Sequence, residues 1–231
     1  MEAIVLAGGL GTRLKGKIEG LPKPMAPVAG RPFLEILLGQ LARAGCSRVI
    51  LSVGYLHEVI ESHFGAAWCG MTVDYAIESE PLGTGGAIRA ALKQGREENI
   101  LILNGDTFLE ADYAEMVRFH DAQPVQMTMA VTHQADVARY GGVRVEADRI
   151  VGFEEKGRSG PGWINAGAYV VRRDLEWPAG LAEKFSFETD FLAREITRTR
   201  PAAYKVDGLF IDIGIPEDLA RAQTVLAGFD P

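Results

Sequence analysis

The sequence predicts an α/β fold, with helices on both faces of a predominantly parallel, mixed sheet, and three observations carry that reading. Strand-like and helix-like segments alternate four times before residue 123, the order that builds a parallel sheet through right-handed crossovers. The strand candidates "AIVLAGG" at 3–9 and "NILILNGD" at 99–106 are continuous apolar runs, as expected of strands covered on both faces. Glycine or proline marks many of the junctions, where the chain must turn.

The elements follow in order. After the strand at 3–9, "GRPFLEILLGQLARAG" at 30–45 spaces Phe33, Leu37, Leu41 and Ala44 along one helical face, with Pro32 near its start and Gly45 at its end. "RVILSVGY" at 48–55 gives a strand and "LHEVIESHFG" at 56–65 a helix stopped by glycine. "MTVDYAIES" at 71–79 alternates as a strand, "GTGGAIRAALKQG" at 83–95 enters a helix, and the strand at 99–106 ends on a carboxylate. A helix at 112–123 and a strand at 125–133 complete this half.

The second half has a different texture. A β-hairpin is expected over 141–156, a strand over 165–174, a helix over 187–198, and two short strands split by "DG" within 202–214. "PEDLARAQTVLAG" at 216–228 opens with proline and two acids, a good helix start. No repeat or linker interrupts the chain, so 1–231 is expected to form one domain, with roughly 140–210 elaborating the sheet.

Composition narrows the function. An apolar share of 47%, a charged share of 24% and a net charge of -7 describe an ordinary soluble protein and argue against nucleic acid or membrane as partner. A local cluster of Arg13, Lys15, Lys17 and Lys23 can still hold a small phosphorylated metabolite. Two cysteines, at 46 and 69, form neither a disulfide framework nor a metal-site spacing. With no signal peptide and no membrane-length apolar run, the expected location is the cytoplasm.

The densest motif is "LAGGLGTRL" at 6–14. Gly8, Gly9 and Gly11 allow a sharp turn after a strand and expose successive N–H groups to phosphate oxygens, while Thr12 and Arg13 add side-chain donors. It is not a dinucleotide fingerprint, because Leu14 stands where the third glycine belongs. It is not a P-loop either, because Ile18 stands where the metal-binding hydroxyl belongs. Lys23 lies between Pro22 and Pro24, which restrict where its ammonium points. His57, His63 and His120 fall on predicted surface helices and His133 follows a strand; none has a metal or triad partner at suitable spacing.

Taken with "PKPM" at 22–25, "EPLGTGGAI" at 80–88, "LNGD" at 103–106, "FEEK" at 153–156, "NAGAYV" at 165–170 and "FIDIGIPEDL" at 210–219, the chain resembles the sugar-phosphate nucleotidyltransferases along nearly its whole length. Within that group it is most similar to the D-glycero-D-manno-heptose 1-phosphate guanylyltransferases, with mannose-1-phosphate guanylyltransferases close behind. Its 231 residues agree with members lacking the additional left-handed β-helix domain. The resemblance implies a Rossmann-like three-layer sandwich and transfer of a nucleotidyl group from GTP to a sugar 1-phosphate, releasing pyrophosphate.

It also implies roles for particular residues. Leu6, Ala7, Gly8, Gly9, Gly11, Thr12 and Arg13 would bind the nucleotide, and Arg13 and Lys23 would neutralise charge at the reacting phosphorus. Asp106 and Asp212 would hold one Mg2+; their apolar neighbours make an unpartnered carboxylate costly. Glu78 and Gly83 would lie beside the base, with Glu80, Thr84 and Gly85 shaping that pocket. A glutamate can accept from both guanine N1–H and the exocyclic amine, which favours GTP over UTP or dTTP. Asn104, Gly142, Glu155, Lys156, Asn165 and Gly167 would bind the sugar phosphate.

Alternatives stay open at this point. Mannose 1-phosphate, or glucose 1-phosphate or N-acetylmuramate 1-phosphate with a uridylyl or thymidylyl donor, could replace the heptose; either a monomer or a homodimer is compatible. A regulatory nucleotide-binding module would have little use for two metal carboxylates together with Lys23 and Lys156. A glycosyltransferase would usually carry a D-x-D pair, whereas this chain has "NGDTF" at 104–108.

Overall fold

The computed structural model describes residues 1–9 and 20–229. Strand β1 (Glu2–Leu6) sets the frame: Ile4 stands in parallel register with Ile50 and with Ile102, each on a neighbouring strand. Because side chains alternate along a strand, Ala3 and Val5 enter one core and Ile4 the other.

A two-stranded ribbon, β2 (Pro27–Val28) and β3 (Arg31–Pro32), leads into α1 (Phe33–Arg43). The helix therefore starts three residues later than the sequence suggests. Phe33, Leu34, Leu37 and Leu41 are buried, each worth ~1.5–3 kcal/mol, so burial rather than helix propensity holds the element. Then come β4 (Arg48–Val53), α2 (His57–Phe64), β5 (Ala67–Trp68), β6 (Met71–Ile77), α3 (Gly83–Leu92) and β7 (Asn99–Asn104).

After β7 the chain forms the short β8 (Thr107–Leu109), then α4 (Tyr113–Asp121), whose first turn is capped by Asp112 accepting from Glu115 N–H. Strands β9 (Met127–Gln134), β10 (Val143–Glu146), β11 (Arg149–Phe153) and β12 (Gly162–Arg172) follow. The remainder comprises α5 (Ala193–Thr199), β13 (Ala202–Val206), β14 (Phe210–Asp212) and α6 (Pro216–Val225).

Ten strands make one mixed sheet in the order β10-β11-β13-β9-β12-β7-β1-β4-β6-β5. Its parallel centre is β7-β1-β4-β6, and the long β12 runs antiparallel between β7 and β9. Helices α1, α2, α4 and α6 pack on one face; α3, α5 and the turn before α5 pack on the other. The expected three-layer architecture is observed.

Two local expectations change. The helix expected over 187–198 divides into a π-helical turn, Phe187–Leu192, and α5. The two short strands expected within 202–214 are both present, in different sheets. Strand β13 joins β9 in the large sheet, while β14 leaves it to pair with β8. His120 is buried rather than on the surface, at 2% exposure, with Nδ1 2.8 Å from Thr128 Oγ1; α4 presents it to the sheet. Among the described residues, no helix is long and apolar enough to cross a membrane.

Candidate active site

A cleft of about 500 Å³ opens beyond the carboxyl ends of β1 and β7 and beside the start of α3, where open α/β sheets bind ligands. Of the expected residues, Leu6, Gly8, Gly9, Lys23, Glu78, Gly83, Thr84, Asn104 and Asp106 line it. Gly11, Thr12 and Arg13 lie outside the described residues, as do Lys15 and Lys17.

Two carboxylates meet here because of the β8–β14 ribbon. Asp212 is in register with Thr107, the residue after Asp106, and the N–H of Ile213 donates to the Asp106 carbonyl at 2.9 Å. Gly105 N–H ties the same turn to the Leu6 carbonyl at 3.0 Å, linking it to the glycine loop after β1. Burial lifts the Asp212 carboxyl above its ordinary value and the Asp106 charge lifts it further, while Lys23, the Gly214 N–H and Arg139 favour its ionised form.

Lys23 approaches from a short 3-10 turn, Lys23–Met25, closed by Met25 N–H on the Pro22 carbonyl. Its Nζ lies 2.5 Å from Asp106 Oδ2, and its side chain is only 14% exposed. The ammonium is therefore held beside the carboxylates rather than roaming in solvent. On the other side, Asp212 Oδ1 accepts from Gly214 N–H at 2.7 Å and Oδ2 from Arg139 Nη2 at 3.2 Å. Arg139 also pairs with Asp218, in the first turn of α6, and its guanidinium lies 5.0 Å from the centre of the Tyr140 ring. Nothing in the local pattern of "ARYGG" at 138–142 marks Arg139 as a partner for residue 212.

These donors suit a hard divalent cation. Asp106 and Asp212 could supply two oxygen ligands, and among the described residues no group of three or more His, Cys, Asp or Glu side chains could hold a metal. An ion bound here would complete its shell with phosphate oxygens and water.

The residues expected beside the base sit less simply. Glu78 Oε2 accepts from Leu82 N–H at 2.9 Å and Oε1 from the Ser52 hydroxyl at 3.3 Å, so its carboxylate braces the loop entering α3 while lining the cleft. Gly85 is buried, and a Cβ there would fall 2.1 Å from the Phe185 ring. Its lack of a side chain is explained by packing against Phe185. Ala7 is buried with its N–H on the Ser52 carbonyl at 2.7 Å, and Glu80 is exposed.

Among the residues expected to bind the sugar phosphate, Asn165 Nδ2 donates to the Tyr169 hydroxyl at 2.6 Å and to Glu188 Oε1 at 3.1 Å. Its Oδ1 accepts from Gly167 N–H, and a Cβ at Gly167 would fall 2.9 Å from Asn104 Nδ2. Glu155 and Lys156 are exposed, and Gly142 is buried against Glu154. Glu188 lines the cleft although the sequence reading passed over it; "FETD" at 187–190 reads locally as the polar start of a helix.

A profile of the family described as Nucleotidyl transferase matches residues 2–227. The chain belongs to the nucleotidyl transferase family. Among curated relatives of this nucleotidyl transferase, the D-glycero-alpha-D-manno-heptose 1-phosphate guanylyltransferase of Aneurinibacillus thermoaerophilus is 44% identical over 226 residues, spanning 98% of each chain. The mannose-1-phosphate guanylyltransferase of Mycobacterium tuberculosis is 36% identical, over 98% of this chain and 64% of its own length. Among solved structures, HddC from Yersinia pseudotuberculosis matches with a TM-score of 0.84 and 37% identity, covering 96% of this nucleotidyl transferase and 97% of HddC. The same protein complexed with GMP-PN matches with a TM-score of 0.82 and the same identity and coverage.

Proposed function

We propose that this nucleotidyl transferase moves the guanylyl group of GTP onto a sugar 1-phosphate of the D-glycero-D-manno-heptose class, with Mg2+ as its cation. The observation that carries the reading is the meeting of Asp106, Asp212 and Lys23 beside the Gly8–Gly9 turn. Relatives named for heptose 1-phosphate guanylyl transfer, and a solved relative complexed with a guanine nucleotide, support the choice of base and sugar.

A phosphate oxygen of the sugar ester attacks the α-phosphorus of GTP as the bond from that phosphorus to the β-phosphate bridging oxygen breaks. Pyrophosphate leaves with that electron pair. The attacking oxygen is already anionic at neutral pH, so no protein base is needed. The difficulty is repulsion between two polyanions held in line, and positioning together with charge neutralisation supplies the acceleration.

Asp106 and Asp212 would hold the cation, which when bound withdraws negative charge from the phosphoryl oxygens. Lys23 binds phosphate oxygens as a point charge, and the backbone at Gly8 and Gly9 leaves room for the triphosphate. Asn165 and Lys156 would receive the sugar and its phosphate. Arg13 would add a second cation at the reacting phosphorus. Mannose 1-phosphate is the second reading for the sugar, supported by the 36% identical relative.

The test is a matrix of GTP, UTP, CTP, dTTP and ATP against heptose, mannose, glucose and N-acetylmuramate 1-phosphates, followed by pyrophosphate release. Turnover is expected with GTP and the heptose ester. Turnover with UTP or dTTP and none with GTP would overturn the base assignment while keeping the reaction class.

A further inference from the structure

Glu188 stands on the cleft wall among groups the reaction uses, and its position is fixed from several sides. The N–H of Phe187 donates to Thr84 Oγ1 at 2.9 Å, and the Phe187 ring stacks on Phe191 and meets Tyr169 edge-on. The side chain is anchored as well: Oε1 accepts from Asn165 Nδ2, whose amide also reaches the Tyr169 hydroxyl. Oε2 accepts none of the hydrogen bonds formed among the described residues. A fixed carboxylate in a ligand cleft, with one oxygen unpaired among the described residues, can accept from a ligand donor.

Its side of the cleft identifies the donor. Asn165 lies on β12, whereas Glu78 follows β6, on the far side of β7 and β1 in the sheet. Through Asn165 the Glu188 carboxylate is turned toward the residues expected to receive the sugar, while Phe187 is tied to Thr84 of the expected base pocket. The electrostatic neighbours of Glu188 are Lys156, Asp106 and Asp212; with the two aspartates engaged by the cation, Glu188 is the carboxylate that a further anion would meet. Loss of solvation and the two aspartates lift the Glu188 carboxyl above its ordinary value, while Lys156 favours the ionised form.

We propose that Glu188 is a specificity residue, accepting hydrogen bonds from hydroxyls of a neutral sugar 1-phosphate and excluding sugars that carry a carboxylate. This rests on the nucleotidyl-transfer reading above and adds the charge class of the acceptor sugar. Like charges brought together at a binding surface cost several kcal/mol, enough to reject an acidic sugar outright.

The test compares α-D-mannose 1-phosphate with α-D-glucuronic acid 1-phosphate on the wild type, E188Q and E188D. Binding is read by calorimetry in the presence of Mg2+ and a non-hydrolysable guanine nucleotide, and kcat/KM with whichever nucleotide gives turnover. Gln keeps an acceptor for Asn165 and a near-identical shape, and melting curves check folding. The wild type is expected to prefer the neutral sugar by at least ~100-fold, and E188Q to lose about 10- to 100-fold in affinity for it. The preference should shrink at least ten-fold in E188Q and persist in E188D, which keeps the charge. An unchanged preference in E188Q overturns the proposal, as does an effect confined to the Mg2+ midpoint. Absence of turnover with every nucleotide would instead sink the proposed function, while the binding ratio would still judge Glu188.

Discussion

The N–H of Ile213 donates to the carbonyl of Asp106 at 2.9 Å, joining two stretches of chain more than a hundred residues apart. That bond, with the Asp212–Thr107 register, seats Asp212 beside Asp106 at the mouth of the cleft. Gly214 then fixes which way the second carboxylate points, through its N–H on Oδ1.

Replacing Gly214 tests this seating. A Cβ there would fall 2.8 Å from Asp212 Oδ1 and 3.3 Å from Lys23 Nζ. Gly214→Ala should therefore lower kcat by ~100-fold, the cost of displacing a reacting group by about an ångström. Steady-state kinetics and a melting curve together check it; activity lost only in step with folding would point to a structural defect.

The opposite end of the sheet should behave differently. Glu2, 2% exposed, accepts from Arg48 and from the N–H groups of Arg96 and Glu97. Glu2→Gln would leave Arg48, itself only 10% exposed, with Asp74 as its remaining carboxylate. The expected loss is about 3 kcal/mol of stability in urea unfolding, with kcat unchanged where the protein is folded.

Stability should also fall on the acid side of neutrality. Burial lowers the pKa of His120, the nearby Asp121 raises it and Arg172 lowers it, the first of these being largest. The unfolded chain takes up a proton near pH 6.5 and the folded chain resists it. Stability from this group is complete above that pH and declines as pH falls, by no more than ~1.4 kcal/mol per pH unit. Urea unfolding of the wild type and His120→Gln between pH 7.5 and 5 should show this part of the slope in the wild type alone.

Direct displacement leaves no covalent enzyme intermediate. Incubation with GTP and Mg2+ without sugar phosphate should give an intact-protein mass free of any guanylyl adduct. An adduct on Lys23 would establish a two-step reaction instead.

Much of the fold was legible because its cues are local. The apolar runs at β1 and β7 and the apolar face of α1 each sit within one window of sequence, and Asp106 and Lys23 stand in compact motifs. The pairing of β8 with β14 was hidden: β8 has three residues, too few for periodicity, and Phe210 meets Leu109 only through long-range packing. Arg139 and Glu188 come from stretches that read as ordinary polar surface, and only tertiary packing gives them partners. Gly85 carries a constraint the loop motif did not show, since a Cβ there would meet the Phe185 ring. His120 was expected at the surface because it falls on a predicted surface helix, and only the packing of α4 against the sheet turns it inward.

Asp106→Asn gives the most direct measurement of whether the two aspartates share a cation essential to the reaction. With saturating GTP, sugar 1-phosphate and Mg2+, kcat should fall by ~100-fold or more while the Kd for GTP changes only a few-fold. Near-normal turnover by Asp106→Asn under those conditions would remove Asp106 from the metal site and contradict the mechanism.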